Sequence, residues 1–222
     1  MDPELFRDRT DAGRQLAERL LEYKDRGALV LAIPRGGVPV GFEVAKRLNA
    51  QFDVIVPRKI PIPWNPEAGF GAITADGTIV LNERMVRSLG LSEEEIEEAA
   101  EEVRQEIMRR TRQYRGDMPP PEVRGKHVIV VDDGLASGYT MLAAIESLRK
   151  GEPSSVIVAV PTASRGAARL VDPKVDMLVA LNVSERLPFA VADAYLAWRD
   201  LTDDEVLSYL RKARSRSDTE TR

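Results

Sequence analysis

Four short runs of continuous apolar residues recur along the chain, at 28–33 (ALVLAI), 128–131 (VIVV), 155–160 (SVIVAV) and 176–181 (DMLVAL). Continuous rather than alternating apolarity predicts strands covered on both faces, the signature of a parallel sheet. A fifth run, 52–60 (FDVIVPRKI), reads as one more buried strand. Between these runs apolar residues fall at helical spacing. Leu16, Leu20 and Leu21 mark a helix over 10–24; Val38, Phe42, Ala45 and Leu48 mark a second after residue 37; Met141, Ile145 and Leu148 mark a third that ends at Gly151. Strands that alternate with helices predict an α/β fold: a parallel sheet of about five strands flanked by helices.

Two segments break this rhythm. Residues 61–82 begin with Pro and Gly and then alternate around Asp76-Gly77, which predicts a β-hairpin. Residues 92–115 predict a long helix with one modest apolar stripe (Ile96, Ala100, Val103, Ile107). Ser92 and Glu95 form a capping box at its start, and its acidic first half and basic second half match the helix dipole. Residues 116–126 read as a linker. The polar stretch 213–222 reads as a disordered tail, leaving 1–212 as a single domain.

Composition narrows the function classes. The chain has 222 residues, 43% of them hydrophobic, enough for one real core, and no apolar run long enough to span a membrane. A net charge of −4 argues against a general nucleic-acid surface. There is no Cys, which removes disulfides and thiol chemistry, and the single His127 cannot form a metal cluster alone. No apolar signal-like segment opens the chain, and a cytoplasmic protein is the simplest expectation.

The candidate chemistry lies in 128–140, VIVVDDGLASGYT. A strand that runs into a loop of small residues and then a helix presents unpaired backbone N–H groups to an anion. Gly134 and Gly138 permit close approach, and Ser137 and Thr140 add hydroxyl donors. The adjacent carboxylates Asp132 and Asp133 suit a different partner, since carboxylates accept hydrogen bonds from a cis-diol. Together the two halves fit a sugar phosphate. The plainer alternative, two solvated acids beside a tight turn, stays open on residues alone.

The stretch also resembles the 5-phosphoribosyl diphosphate (PRPP) motif of the type I phosphoribosyltransferases. The resemblance spreads over the chain through FRDRTDAGRQLA at 6–17, PRGG at 34–37 and NPEAGFGAITADG at 65–77, segments shared by a poorly characterised group of phosphoribosyltransferases. It implies a hairpin lid and a small hood built from the termini around 182–212. It implies transfer of the phosphoribosyl group from PRPP to a nitrogen acceptor such as a nucleobase, with Mg²⁺ carried mainly on substrate oxygens. Asp132 and Asp133 would hold the ribose hydroxyls, with Gly134, Leu135, Ala136, Ser137, Gly138, Tyr139 and Thr140 around the 5′-phosphate. Arg35, Gly36 and Gly37 would meet the diphosphate, joined by Arg58, Lys59 and Arg199. Phe189 would stack on the base, Asp193 would lie near the metal, and Glu67 in the lid would supply a base-directed acid or base. At Ala136 the 6-oxopurine enzymes carry an Asp, so that group must come from elsewhere or is not needed. Relatives are often dimers, which leaves a homodimer open. Two other functions remain: a regulatory protein that senses PRPP or a nucleotide on the same fold, and a sugar-phosphate hydrolase.

Overall fold

The computed structural model describes residues 6–220, with side chains described to residue 216. The apolar runs form a five-stranded, wholly parallel sheet in the order β2-β1-β6-β7-β8. Its strands are β1 (Leu29–Ala32), β2 (Gln51–Val54), β6 (His127–Val131), β7 (Ser155–Ser164) and β8 (Met177–Ser184). The central strands are buried on both faces, as their unbroken apolarity requires. Helices α1 (Arg9–Glu18) and α2 (Gly37–Leu48) cover one face, where Leu16, Leu20, Val40 and Val44 pack on Val30, Ile129 and Ile157. Helices α5 (Tyr139–Arg149) and α6 (Arg165–Val171) cover the other, with Met141, Ile145 and Leu148 on Leu29, Val128 and Val156.

The chain leaves β1 toward β2 on one side and returns to β6 on the other. Strand order therefore reverses between β1 and β6, and the loops after these two strands diverge from one crevice at the carboxyl edge. In open α/β sheets such a crevice is where ligands bind.

The run 52–60 is not one strand. It breaks at 55–57, ahead of Arg58, because Pro57 has no N–H to continue a ladder. The second part becomes β3 (Arg58–Ile62) of a separate antiparallel sheet with β4 (Asn65–Ile73) and β5 (Ile79–Leu81). The hairpin predicted around Asp76-Gly77 is present, with Gly77 at a φ of +81°, a conformation that favours glycine. It is not a free loop. Ile60, Ile62, Phe70 and Ile73 are buried against α4 (Glu93–Arg115), preceded by the short α3 (Glu83–Leu89), and against α7 (Asp203–Glu220). Residues 63–67, at the end of the hairpin opposite Asp76, form its longest exposed run. The Ser92–Glu95 capping box forms at the start of α4 as expected. The expected tail, by contrast, is helical: α7 runs through Glu220, and its Val206 and Leu210 are buried in the same cluster as α4.

The Asp76 turn is the anchor of the small sheet on α5. The Asp76 carboxylate accepts from Thr74 Oγ1 at 2.5 Å, Thr78 Oγ1 at 2.7 Å, and Ser147 Oγ and Lys150 Nζ at 3.0 Å each. Burial pushes its pKa up, but the hydrogen bonds from Thr74, Thr78, Lys150 and Ser147 together outweigh this, and the net displacement is downward. A carboxylate whose folded pKa lies below the unfolded value stabilises the fold fully above that value, 3.8, and loses the contribution as pH falls beneath it. Asp76→Asn is accordingly expected to lower the melting temperature at about pH 7, with the gap to wild type closing below about pH 4. A gap that is the same at both pH values would show that the ionised carboxylate is not the anchor.

Candidate functional site

The β6 strand delivers Asp132 and Asp133 to the crevice, and loop 134–138 turns back to start α5. The loop is fixed by an extension of β7. Leu135 N–H donates to Thr162 O at 2.9 Å, Ser164 N–H donates to Leu135 O at 2.8 Å, and Ser164 Oγ donates to Ala136 O at 2.7 Å. Gly138, at a φ of +86°, is the residue before the first turn of α5 and offers no side-chain cap. The N–H groups of that turn therefore remain available to an anion, with Ala136 and Ser137 exposed beside them. Gly134 lies under the hood; a Cβ there would stand 2.4 Å from Val191 Cγ1.

The loop after β1 meets these carboxylates directly. A Cβ on Gly36 would lie 1.9 Å from Asp133 Oδ2, and one on Gly37 would lie 2.8 Å from Asp132 Cα, so only glycine admits this approach. Residues 34–37 and 132–138, about a hundred positions apart in sequence, thus form one continuous rim. Within it the Arg35 side chain forms no hydrogen bond or ion pair with the described residues, while its carbonyl accepts the Val38 N–H at 3.2 Å.

The two carboxylates are not equivalent. Asp133 Oδ2 accepts from Arg9 Nε at 2.8 Å, and Arg9 is only 8% exposed. Arg9 also donates through Nη1 to Arg199 O at 2.8 Å and lies over the Trp198 ring, 3.8 Å from its centroid. Tyr195 Oη donates to Asp133 O at 2.6 Å, and the backbones of Phe6 and Tyr195 bridge. Asp132, by contrast, has no cationic partner in hydrogen-bond contact among the described residues; its Oδ1 accepts the Asp133 N–H at 2.8 Å. Burial pushes the Asp132 pKa well above the usual carboxylate range, and the neighbouring Asp133 charge pushes it further.

Other expected participants are dispersed. Arg58 and Lys59 project from opposite faces of β3, as the two-residue period of a strand demands. Arg58 pairs with Glu106 of α4 at 3.1 Å, whereas Lys59 donates to the carbonyl of Glu67 on the outer face. The two do not act as a basic pair. The Glu67 side chain lies at the exposed end of the hairpin. Arg199 is turned away from the rim: its guanidinium holds Glu205, which in turn accepts the Thr202 N–H at the start of α7. What the site takes from Arg199 is its carbonyl. Phe189 and Asp193 are in the hood and border, with Thr162, Asn182 and Ser184, a cleft of about 70 Å³. Thr162 Oγ1 is buried there with no hydrogen-bond partner among the described residues. Among the described residues no three Asp, Glu or His side chains converge to hold a metal, and no helix is long and apolar enough to cross a membrane.

Arg9 and Tyr195 escaped the sequence reading. Arg9 stands inside FRDRTDAGRQLA, and an Arg just after the helix-capping Asp8 was its only local signal.

The sequence and fold have known relatives. A family model described as the phosphoribosyl transferase domain matches residues 75–196. Two Mycobacterium tuberculosis proteins, from strains CDC 1551 and H37Rv, both provisionally named phosphoribosyl transferase, are 39% identical over 209 residues. The match takes in 94% of this chain and 47% of theirs, so the chain spans about half the length of these curated relatives. The crystal structure of TT1426 from Thermus thermophilus is 36% identical, with a TM-score of 0.79 over 94% of this chain and 98% of that one. AQ2163 from Aquifex aeolicus shares the fold at 16% identity, with a TM-score of 0.51 over 81% of this chain and 76% of that one.

Truncation of Arg9 leaves Asp133 as an unpaired, nearly buried charge, a loss on the order of 3–5 kcal/mol. Arg9→Met is expected to lower the denaturation midpoint by a corresponding amount, and the double variant Arg9→Met/Asp133→Asn to regain part of it. If the double variant is no more stable than Arg9→Met, the pair is not coupled.

Proposed function

The chain belongs to the phosphoribosyl transferase domain family, and on that premise we propose that it binds Mg²⁺ and PRPP and transfers the phosphoribosyl group to a nitrogen acceptor, releasing diphosphate. One observation carries this reading: the Gly36–Gly37 loop abuts the Asp132–Asp133 pair at the mouth of an anion-binding helix start. A sugar phosphate with a second phosphate group at C1 spans such a rim. The Gly134–Thr140 loop takes the 5′-phosphate through backbone N–H groups and the Ser137 and Thr140 hydroxyls. Asp132 and Asp133 accept hydrogen bonds from the ribose hydroxyls, and Arg35 with the Gly36 N–H takes the diphosphate, the Gly37 N–H being spent on Ile33 O.

Arg9 and Tyr195 hold Asp133 in place for this task, so they are positioning residues. Asp132 is held less strongly and answers to the ligand's own charge. Mg²⁺ arrives on the substrate's diphosphate, which fits a site with no cluster of three protein ligands among the described residues. When bound it would supply charge neutralisation for the departing diphosphate, and Asp193 would be the hood carboxylate nearest that role. The acceptor enters at the hood, against Phe189, where the unpartnered Thr162 hydroxyl and the Asn182 amide offer neutral hydrogen bonds. A flat nitrogen heterocycle suits such a cleft. The cleft is far smaller than the roughly 300–1,000 Å³ of most small-molecule sites, so enclosure requires another element. Because Asp76 pins one end of the hairpin to the end of α5, β4 extends back along that helix. Its exposed end, 63–67 with Trp64, is the segment we assign to closure. A transferase working on such metabolites acts in the cytoplasm.

Two measurements test the reading. Diphosphate release from PRPP is expected only when a suitable nitrogen heterocycle is added; release without one indicates a hydrolase, and binding without release a sensor. Replacement of Asp132 by Asn is expected to weaken PRPP binding by about tenfold, the loss of one charge-assisted hydrogen bond, while inorganic phosphate binds equally or better. Because the Asp132 pKa is raised, wild-type affinity for PRPP is expected to fall as pH drops more than that of Asp132→Asn. If PRPP and phosphate respond alike to the substitution, the diol assignment is wrong.

A further inference from the structure

The buried stripe of α4 contains a charge. Ala100, Val103, Ile107 and Tyr114 are buried at successive intervals of three, four and seven residues, and Arg110 occupies the intermediate position of the same stripe. An arginine in line with core residues needs a partner. Its side chain is 19% exposed, and its Nε lies 3.2 Å from Glu106 Oε1 yet is not aligned to donate to it; that buried N–H has no hydrogen-bond partner among the described residues.

The same Glu106 Oε1 also forms an ion pair with Arg58 Nη1 at 3.1 Å, so one carboxylate oxygen serves two guanidinium groups from different elements. A third, Arg35, is close enough for its charge to act on both Arg58 and Tyr114. Burial, then the charge of Arg110, push the Arg58 pKa down, which records how poorly Glu106 compensates the group. Tyr114 adds no negative charge: burial and then its hydrogen bond to Asp203 raise its pKa to about 12. Two guanidinium groups thus share Glu106, with the charge of Arg35 acting on one of them and Asp203 behind the tyrosine. One positive charge is left over beside the rim where Gly36 meets Asp133.

We propose that Arg110 completes, with Arg58 and Arg35, a cradle for the diphosphate of the substrate, and that Glu106 fills this cradle in the free protein as an internal competitor which the diphosphate displaces. The inference deepens the phosphoribosyl transfer reading and rests on it. The chemistry follows from place and number. The diphosphate is carried on C1, one bond from the carbon bearing the first ribose hydroxyl, so a substrate with its diol on Asp132 and Asp133 extends toward Arg35. Diphosphate brings more than one negative charge and several oxygens, enough to engage three guanidinium groups, whereas one carboxylate oxygen shared between two of them leaves an N–H unmet. The long helix is in this sense part of the binding machinery, and its basic second half is more than a solvated face.

The test is calorimetric titration of inorganic diphosphate, with excess Mg²⁺ and fixed salt, into wild type, Glu106→Gln and Arg110→Gln. Glu106→Gln keeps shape and one acceptor but removes the competing charge, so diphosphate is expected to bind several-fold tighter. Arg110→Gln is expected to bind it about tenfold more weakly. Saturating PRPP is expected to abolish diphosphate binding in all three proteins; simultaneous binding would move the cradle out of the substrate site and overturn the proposal. Unchanged or weakened affinity in Glu106→Gln also overturns it, and this arm stands even if Arg110→Gln does not fold. The outcomes separate the two readings. PRPP binding that depends on Asp132 but ignores Glu106 and Arg110 removes the cradle alone. Diphosphate binding that responds to both residues, in a protein indifferent to PRPP, removes the phosphoribosyl reading and leaves an anion cradle.

Discussion

The contact between Arg9 and Asp133 is the constraint on which the rest of the site depends. It joins the first turn of α1 to the end of β6, and through the Arg199 carbonyl and the Trp198 ring it also joins the hood. Two charges removed this far from water stabilise a structure only when their remaining hydrogen-bonding capacity is met. Here Arg9 is held by the Asp133 carboxylate, the Arg199 carbonyl and the Trp198 ring, and Tyr195 holds the Asp133 carbonyl as well. The N-terminal helix, the hood and the loop after β6 therefore cannot shift independently without exposing an unpaired charge.

From this follows the asymmetry of the two acids. Asp133 is a fixed carboxylate with a permanent counter-ion. Asp132 has burial and a like charge against it, and its ionisation waits on something positive or hydrogen-bond donating. A ligand that brings hydroxyl donors, and a metal with them, relieves that cost. Asp132 and the Arg58–Arg110 pair are alike in this respect: each holds charge that the free protein balances incompletely.

Much of this was legible in the sequence, because parallel strands write their burial as unbroken apolar runs and helices write theirs as periodicity. The VIVVDDGLASGYT loop, the capping box at Ser92 and the turn at Asp76-Gly77 are local, and local chemistry decides them. What could not be read depends on contacts between distant residues. Pro57 split an apolar run that periodicity alone joins. Burial of Val206 and Leu210 against α4 carries α7 through a stretch whose own polarity suggests disorder. Arg199 stands at the position the family resemblance implies, yet Glu205, six residues on, competes for its guanidinium and wins. Arg9 and Arg110 lie among largely polar helical sequence, and only the fold reveals that they point inward.

On the proposed function, the Arg9–Asp133 clamp presents loop 134–140 and the Gly36–Gly37 turn as one preformed sugar-phosphate rim. Amide hydrogen exchange with and without ribose 5-phosphate tests it most directly. Slower exchange is expected on ligand addition at residues 134–140 and 36–37, and with them at residues 6–9 and 195–199, which the ligand does not touch but the clamp couples to it. Protection confined to 134–140, with the Arg9 and Tyr195 segments unaffected, would contradict the claim and reduce the loop to an independent phosphate site.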